Sequence, residues 1–176
     1  MDLRLRPLTR ADFPLVARWL GEPHVGRWWD PRHDTEFVES KYGPRVDGKE
    51  PTEVFVVELD EGPIGLFQWC PADQYAWWPT ELGLAEDAVV IDGLIGEPER
   101  VGRGVGSALL RHVVPRLSER FPDATRILGA PAAANAASCR VLEKAGFTLL
   151  HEGELVRDGR PLSRIYALDL SATGGL

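Results

Sequence analysis

The stretch Val101-Gly102-Arg103-Gly104-Val105-Gly106 joins an alternating apolar run at 88–95 to an amphipathic run at 104–119. In the second run Val105, Leu109, Val113 and Leu117 recur at helical spacing, with Pro115 expected to kink the helix. A strand, a glycine loop and a helix in that order can hold a phosphate. Glycines let successive backbone N–H groups surround an anion, and the helix start adds its free N–H groups and positive dipole end. Arg100 and Arg103 can supply charge. The loop lacks the Gly-Lys-Ser/Thr ending of a Walker motif, and its glycine spacing is not that of a dinucleotide fingerprint. By itself, a glycine run is equally compatible with a plain turn at a helix start.

Working outward, 88–95 reads as a strand with Val89, Ile91 and Gly93 on one face and Val90, Asp92 and Leu94 on the other. Upstream, Leu3 and Leu5 give a short strand, and Thr9 caps a helix carrying Phe13, Val16, Ala17 and Leu20 that ends at 21–23. Asp34 caps a second helix with Phe37, Val38 and Tyr42, which is expected to stop near Gly43 and Pro44. Strands at 53–59 and 64–69 form a hairpin through 60–63, and the long aromatic, acidic segment 71–87 has no period. Downstream come a strand at 125–129, a helix at 135–144 closed by Gly146, and a hairpin of 147–156 with 162–170 through 157–160. There are no repeats. One domain over 1–170 with a flexible C-terminal tail at 171–176 is the expected organisation.

A chain of 176 residues can bury a core without disulfides or metals, and 44% hydrophobic with 27% charged residues is ordinary for a globular protein. The net charge of −7 disfavours nucleic-acid binding and is compatible with a cationic substrate. No apolar run has the length of a membrane span, and Asp2, Arg4 and Arg6 leave no signal-peptide pattern. Cys70 and Cys139 lack ligand spacing and read as buried free thiols, which favours a reducing, cytoplasmic setting. His24, His33, His112 and His151 are scattered, reading as capping, surface or packing residues, and no metal is expected. Ser138 and Cys139 have no evident His–Asp arrangement and are not convincing nucleophiles.

Asp92 is out of place in mid-strand. A carboxylate buried there needs a partner: a cationic amine in a catalytic reading, an arginine or a bulge in a structural one. Trp28, Trp29, Trp69, Trp77 and Trp78 are dense for a loop-rich half. Trp69 and one member of each pair read as core; exposed members can stack on sugars or attract cations. Glu81, Glu86 and Asp87 share the loop with Trp77 and Trp78 and read mostly as a solvated acidic face.

The glycine loop resembles the Gln/Arg-x-x-Gly-x-Gly/Ala motif of the GNAT acetyltransferases, with Val101 at the first position in place of Gln or Arg. Asn135-Ala136-Ala137-Ser138-Cys139-Arg140-Val141-Leu142-Glu143-Lys144-Ala145-Gly146-Phe147 is similar to that family's Asn-x-x-Ser/Ala…Glu-Lys-x-Gly-Phe segment. The resemblance implies the α/β GNAT fold: a mixed, mostly antiparallel sheet of six or seven strands flanked by about four helices. It implies acetyl-CoA as cosubstrate, held by Leu94, Ile95, Val101, Gly102, Arg103, Gly104, Val105, Gly106, Ser107 and Asn135. At Asn135 a plain helix cap and a cofactor contact both remain open.

A narrower resemblance, to the aminoglycoside 6′-N-acetyltransferases, runs through Trp19-Leu20, Pro23-His24-Val25, Trp28-Trp29, Tyr42, Gly62-Pro63-Ile64-Gly65, Trp77-Trp78 and Ile91-Asp92. It implies Asp92 as the base at the accepting amine, with Trp29, Tyr42, Trp77 and Trp78 on the acceptor side, and a small cationic amine as partner. Three positions depart from that pattern: Ala130 before Pro131 lacks an acid, Leu142 stands where many relatives have Tyr, and no acid precedes the tryptophan pair in register. Alternatives in the same superfamily are a protein N-terminal acetyltransferase of the ribosomal-protein type and a siderophore hydroxylysine acetyltransferase. A non-enzymatic acyl-CoA-binding regulator is the alternative of another class.

Overall fold

The computed structural model describes residues 2–74, 83–84, 87–154 and 162–170. Its strands are β1 (Arg4–Pro7), β2 (Glu53–Leu59), β3 (Gly62–Pro71), β4 (Ala88–Ile95), β5 (Arg126–Gly129), β6 (Thr148–Gly153) and β7 (Ser163–Asp169). They hydrogen-bond in the order β1-β2-β3-β4-β5-β7-β6. The pairs β1–β2, β2–β3, β5–β7 and β6–β7 are antiparallel, while β4–β5 is parallel. This is the mixed, mostly antiparallel sheet expected from the sequence. The α-helices among the described residues are α1 (Phe13–Gly21), α2 (Pro23–Gly26), α3 (Thr35–Val46), α4 (Val105–Arg120) and α5 (Ala136–Lys144). The short α2 is the one beyond the expected four. The turn at 157–160 and the tail at 171–176 lie outside the described residues.

Contacts divide the chain into two compact units, Met1–Trp69 with Gly93–Val105 and Cys70–Asp92 with Gly106–Leu176. In the first, Phe13, Val16 and Leu20 of α1 bury one stripe against Val38 and Tyr42 of α3 and against Val54, Val56 and Leu66. The chain enters α1 through a 3-10 turn, where Asp12 accepts from the Thr9 backbone N–H at 2.9 Å and from the Thr9 hydroxyl at 2.8 Å. Arg6 clamps the same carboxylate at 2.7 and 2.8 Å and reaches Glu58 at 2.8 Å.

Asp34 caps α3 by accepting from Phe37 N at 2.8 Å, as expected. The expected stop at Gly43 and Pro44 is corrected: α3 runs through both to Val46. Pro44 removes one N–H from the ladder, yet the next turn is held by other contacts. Asp47 N donates to Gly43 O and Lys49 N to Pro44 O. Arg45 donates to Gln68 at 2.9 Å and to Glu50 at 3.0 Å, and Val46 packs on the core. Tertiary contacts override the local breaker.

In the second unit Val90, Leu128, Ile165 and Ala167 make a buried cluster with Ala72 and Ala88. Helix α4 continues through Pro115. A Cβ at Gly106 would touch both Val141 methyls at 3.2 Å, so this glycine permits close packing of α4 on α5. Helix α5 ends in a Schellman turn: Gly146 N donates to Glu143 O and Phe147 N to Leu142 O, with Gly146 at φ 89°. Cys70 and Cys139 are buried free thiols, as the sequence indicated.

Candidate active site

Gly102 and Gly104 have φ of 74° and 79°, the left-handed region that favours glycine. Among the described residues, the adjoining chain neighbours aside, no atom lies within 4 Å of where a Cβ would stand at either, so the loop backbone is open to an incoming group. Arg103 between them is exposed, and so is Val101. Helix α4 starts at Val105, which makes Val105, Gly106 and Ser107 its first turn, where N–H groups lack intrahelical acceptors. Bent, unobstructed glycine backbone followed by a helix start suits a pyrophosphate. Arg100 pairs with Glu61 at 3.4 Å, so its charge is shared within the fold.

The C-terminal half of β4 breaks the strand's burial pattern. Ala88 to Ile91 are buried, Asp92 and Gly93 are exposed, and Leu94 is buried again. Asp92 is therefore exposed to solvent, in contrast to the buried carboxylate that a mid-strand position suggests. Two glycines allow close approach at this level. A Cβ at Gly65 would collide with the Leu94 carbonyl, and one at Gly93 would meet the Leu66 carbonyl at 3.0 Å. Beyond Leu94, the Ile95 carbonyl accepts from His24 Nε2 at 2.9 Å. Gly96 N–H donates to Ile64 O at 2.8 Å, and Gly96 lies against the Trp19 ring with no room for a side chain. Trp19 Nε1–H donates to Glu97 at 2.8 Å, and Arg18 pairs with the same carboxylate. The Arg18 hydrogen bond is the main cause holding the Glu97 carboxyl below its ordinary range. His24, Trp19 and Glu97 were not singled out from sequence as site residues. The signal for the first two is their place in the family-like run through Trp19-Leu20 and Pro23-His24-Val25, and Glu97 has none.

On the expected acceptor side, Trp29 is half-buried against the first unit's core, while Tyr42 is fully buried within it. Tyr42 thus offers no surface to a ligand in this structure and belongs to the core cluster against which Trp29 packs. Lys41, also missed from sequence, has its Nζ 5.3 Å from the Trp29 ring, 5.5 Å from Phe37 and 5.6 Å from Tyr42. Asp30 accepts from Arg32 at 2.6 and 2.9 Å, which lowers its carboxyl to about 2. Trp77 and Trp78, together with Glu81 and Glu86, lie outside the described residues. Trp69 is core, its ring tilted against Phe55 with centroids 4.2 Å apart, and Trp28 is the exposed member of its pair.

Asn135 is the α5 cap, accepting from Ser138 N at 3.2 Å. Leu142 is buried and packs where a Cβ on Gly129 would touch it at 3.2 Å. The neighbouring Glu143 accepts instead from Tyr166 Oη at 2.7 Å. Burial, then that hydrogen bond, pushes the Tyr166 hydroxyl well above its ordinary range. Among the described residues no helix is long and apolar enough to cross a membrane.

Residues 9–155 match the family model described as acetyltransferase (GNAT) domain. The chain belongs to the GNAT acetyltransferases. Within them it is 30% identical over 151 residues to the aminoglycoside N(6′)-acetyltransferase type 1 of Klebsiella pneumoniae, covering 83% of this chain and 74% of that protein. It superposes with a TM-score of 0.84 and 26% identity on a crystal structure of aminoglycoside acetyltransferase AAC(6′)-Ib with coenzyme A and kanamycin, covering 97% and 96% of the two chains. A lysine N-acyltransferase, MbtK of Mycobacterium sp. (strain MCS), is 30% identical over 161 residues, which span 86% of this chain and 62% of that protein. This GNAT chain is thus an N-acetyltransferase by family.

Proposed function

We propose that the chain, acting as one acetyltransferase domain over 1–170 in the cytoplasm, moves the acetyl group of acetyl-CoA onto the 6′-amine of an aminoglycoside. Likeness over most of the chain to an aminoglycoside N(6′)-acetyltransferase carries this reading. Acetyl-CoA supplies an activated acyl group on a thiol leaving group. The open backbone at Gly102 and Gly104, with Val101, Arg103 and the α4 start at Val105, Gly106 and Ser107, fits its pyrophosphate. Backbone N–H groups of Leu94 and Ile95 hold the pantetheine arm and polarise the thioester carbonyl, with Asn135 as a further contact.

Asp92 is the base. An aliphatic amine is mostly protonated near neutrality, and an exposed carboxylate can take the ammonium's proton directly or through one water. The freed nitrogen attacks the carbonyl carbon, the C–S bond breaks and the departing sulfur takes up a proton. Leu142 is apolar and buried, so that proton is the one the acylated nitrogen gives up, passed directly or through solvent, rather than one from position 142. By resemblance, Trp29, Tyr42, Trp77 and Trp78 belong to the acceptor side.

Mass spectrometry after incubation with acetyl-CoA tests the reading. Kanamycin and tobramycin should gain one acetyl group, and an analogue with a 6′-hydroxyl should gain none. Transfer to lysine or a peptide amine, with no acetylated drug, would overturn it.

A further inference from the structure

We propose that His24 is a positioning residue for the acyl-CoA groove, acting by pinning the peptide unit between Ile95 and Gly96. The inference rests on the reading of Leu94 and Ile95 as cofactor-binding backbone. Both polar groups of that peptide are occupied. Its carbonyl accepts from His24 Nε2 at 2.9 Å, and its N–H donates to Ile64 O at 2.8 Å. The Trp19 ring fills the space where a side chain at Gly96 would stand. A peptide plane held at its oxygen, its nitrogen and its α-carbon cannot rotate. The backbone just before it, which departs from the burial pattern of β4, is thereby fixed in direction. Since a carbonyl only accepts, Nε2 must carry the hydrogen, so the imidazole works as a donor in its neutral Nε2–H form and when protonated. The Ile64 and Trp19 contacts would survive loss of the imidazole. The expected consequence is a looser strand end within an intact fold.

Calorimetric titration with acetyl-CoA, alongside thermal denaturation, tests this on the wild type and three variants. His24→Ala should weaken acetyl-CoA binding about three- to tenfold, the range for one lost hydrogen bond, with little change in Tm. His24→Gln should return affinity to within about twofold of wild type, because its amide nitrogen falls where Nε2 sits. His24→Asn, whose amide reaches only as far as Nδ1, should behave like His24→Ala. Unchanged affinity in His24→Ala, or no rescue by His24→Gln, would overturn the proposal while leaving the acetyltransferase reading standing. So would affinity losses that follow Tm losses across the set. A wild type that does not bind acetyl-CoA would sink that reading first, and this one with it.

Discussion

The indole Nε1–H of Trp19 donates to Glu97 Oε1 at 2.8 Å, joining α1 to the turn that leads into the glycine loop 78 positions later in the chain. The same ring faces the Gly96 α-carbon, so one buried side chain both packs and positions that turn. Trp19→Phe removes the donor and part of the ring. Loss of a hydrogen bond to a charged acceptor together with some packing costs about 2–3 kcal/mol, or about 5–10 °C in Tm for a chain of this size. Glu97→Gln keeps an acceptor and loses only the partly exposed ion pair with Arg18, so its Tm should fall far less. Circular-dichroism melting of both variants separates the two.

Gly104→Ala and Gly104→Glu share one backbone penalty, since φ is 79° there, and differ in what they add to open space. The strain amounts to about 1–2 kcal/mol in either. Gly104→Ala should therefore lose a few degrees of Tm and bind acetyl-CoA weakly. Gly104→Glu should show a similar Tm and no measurable binding by calorimetry. Equal affinity in the two would remove the phosphate from this loop.

Asp92→Asn keeps the shape of an exposed side chain and removes its charge. If Asp92 is the base, turnover with kanamycin should fall on the order of a hundredfold or more, with acetyl-CoA affinity unchanged. Steady-state rates from pH 6 to 9 decide it. A near-normal profile would leave Asp92 as a structural residue.

Asp12 gives an acid-side signature. Its hydrogen bond from Arg6 lowers its carboxyl from 3.8 to about 2, with burial opposing and Thr9 assisting. A depressed folded-state value means stability that is present above about pH 4 and lost as pH falls toward 2. Allowing for the partial exposure of Arg6, the contribution is about 1–2 kcal/mol. Asp12→Asn should lower stability at pH 7 by about that amount and flatten the decline between pH 4 and 2, as read by urea unfolding.

Most of the fold was legible because local chemistry and tertiary demand agree. Strands β2 and β4 fall at the residues that alternation marks, and Asp34, Asn135 and Gly146 mark α-helix ends, whereas Thr9 opens a 3-10 turn and Asp12 holds the N-cap position of α1. Where the two disagree, sequence misleads: Gly43 and Pro44 are breakers that Arg45 and Val46 overrule through long-range contacts. The site was legible as a pattern but not as a division of labour. Gly102, Gly104 and Gly106 look alike in sequence, yet the first two supply a positive φ in open space and the third makes room for Val141. Tyr42 stands in sequence with Phe37 and Val38 in the second helix and, by resemblance, on the acceptor side; the structure buries it fully. The pinning of Ile95 by His24 spans 71 positions and leaves no periodic trace.

The parallel ladder between β4 and β5 bears on how the protein is made. Val89 faces Ile127 and Ile91 faces Gly129, and the intervening crossover contains the whole glycine run and α4. A growing polypeptide released only as far as α4 has Asp92 and the loop in hand but lacks β5, the parallel partner on one edge of β4. The β2–β3 hairpin closes through near neighbours and β4 already has β3 on one edge, whereas its other edge must await residues 126–129. Catalytic competence would then appear abruptly, late in synthesis, and a chain stopped before residue 126 would carry the motif without the enzyme.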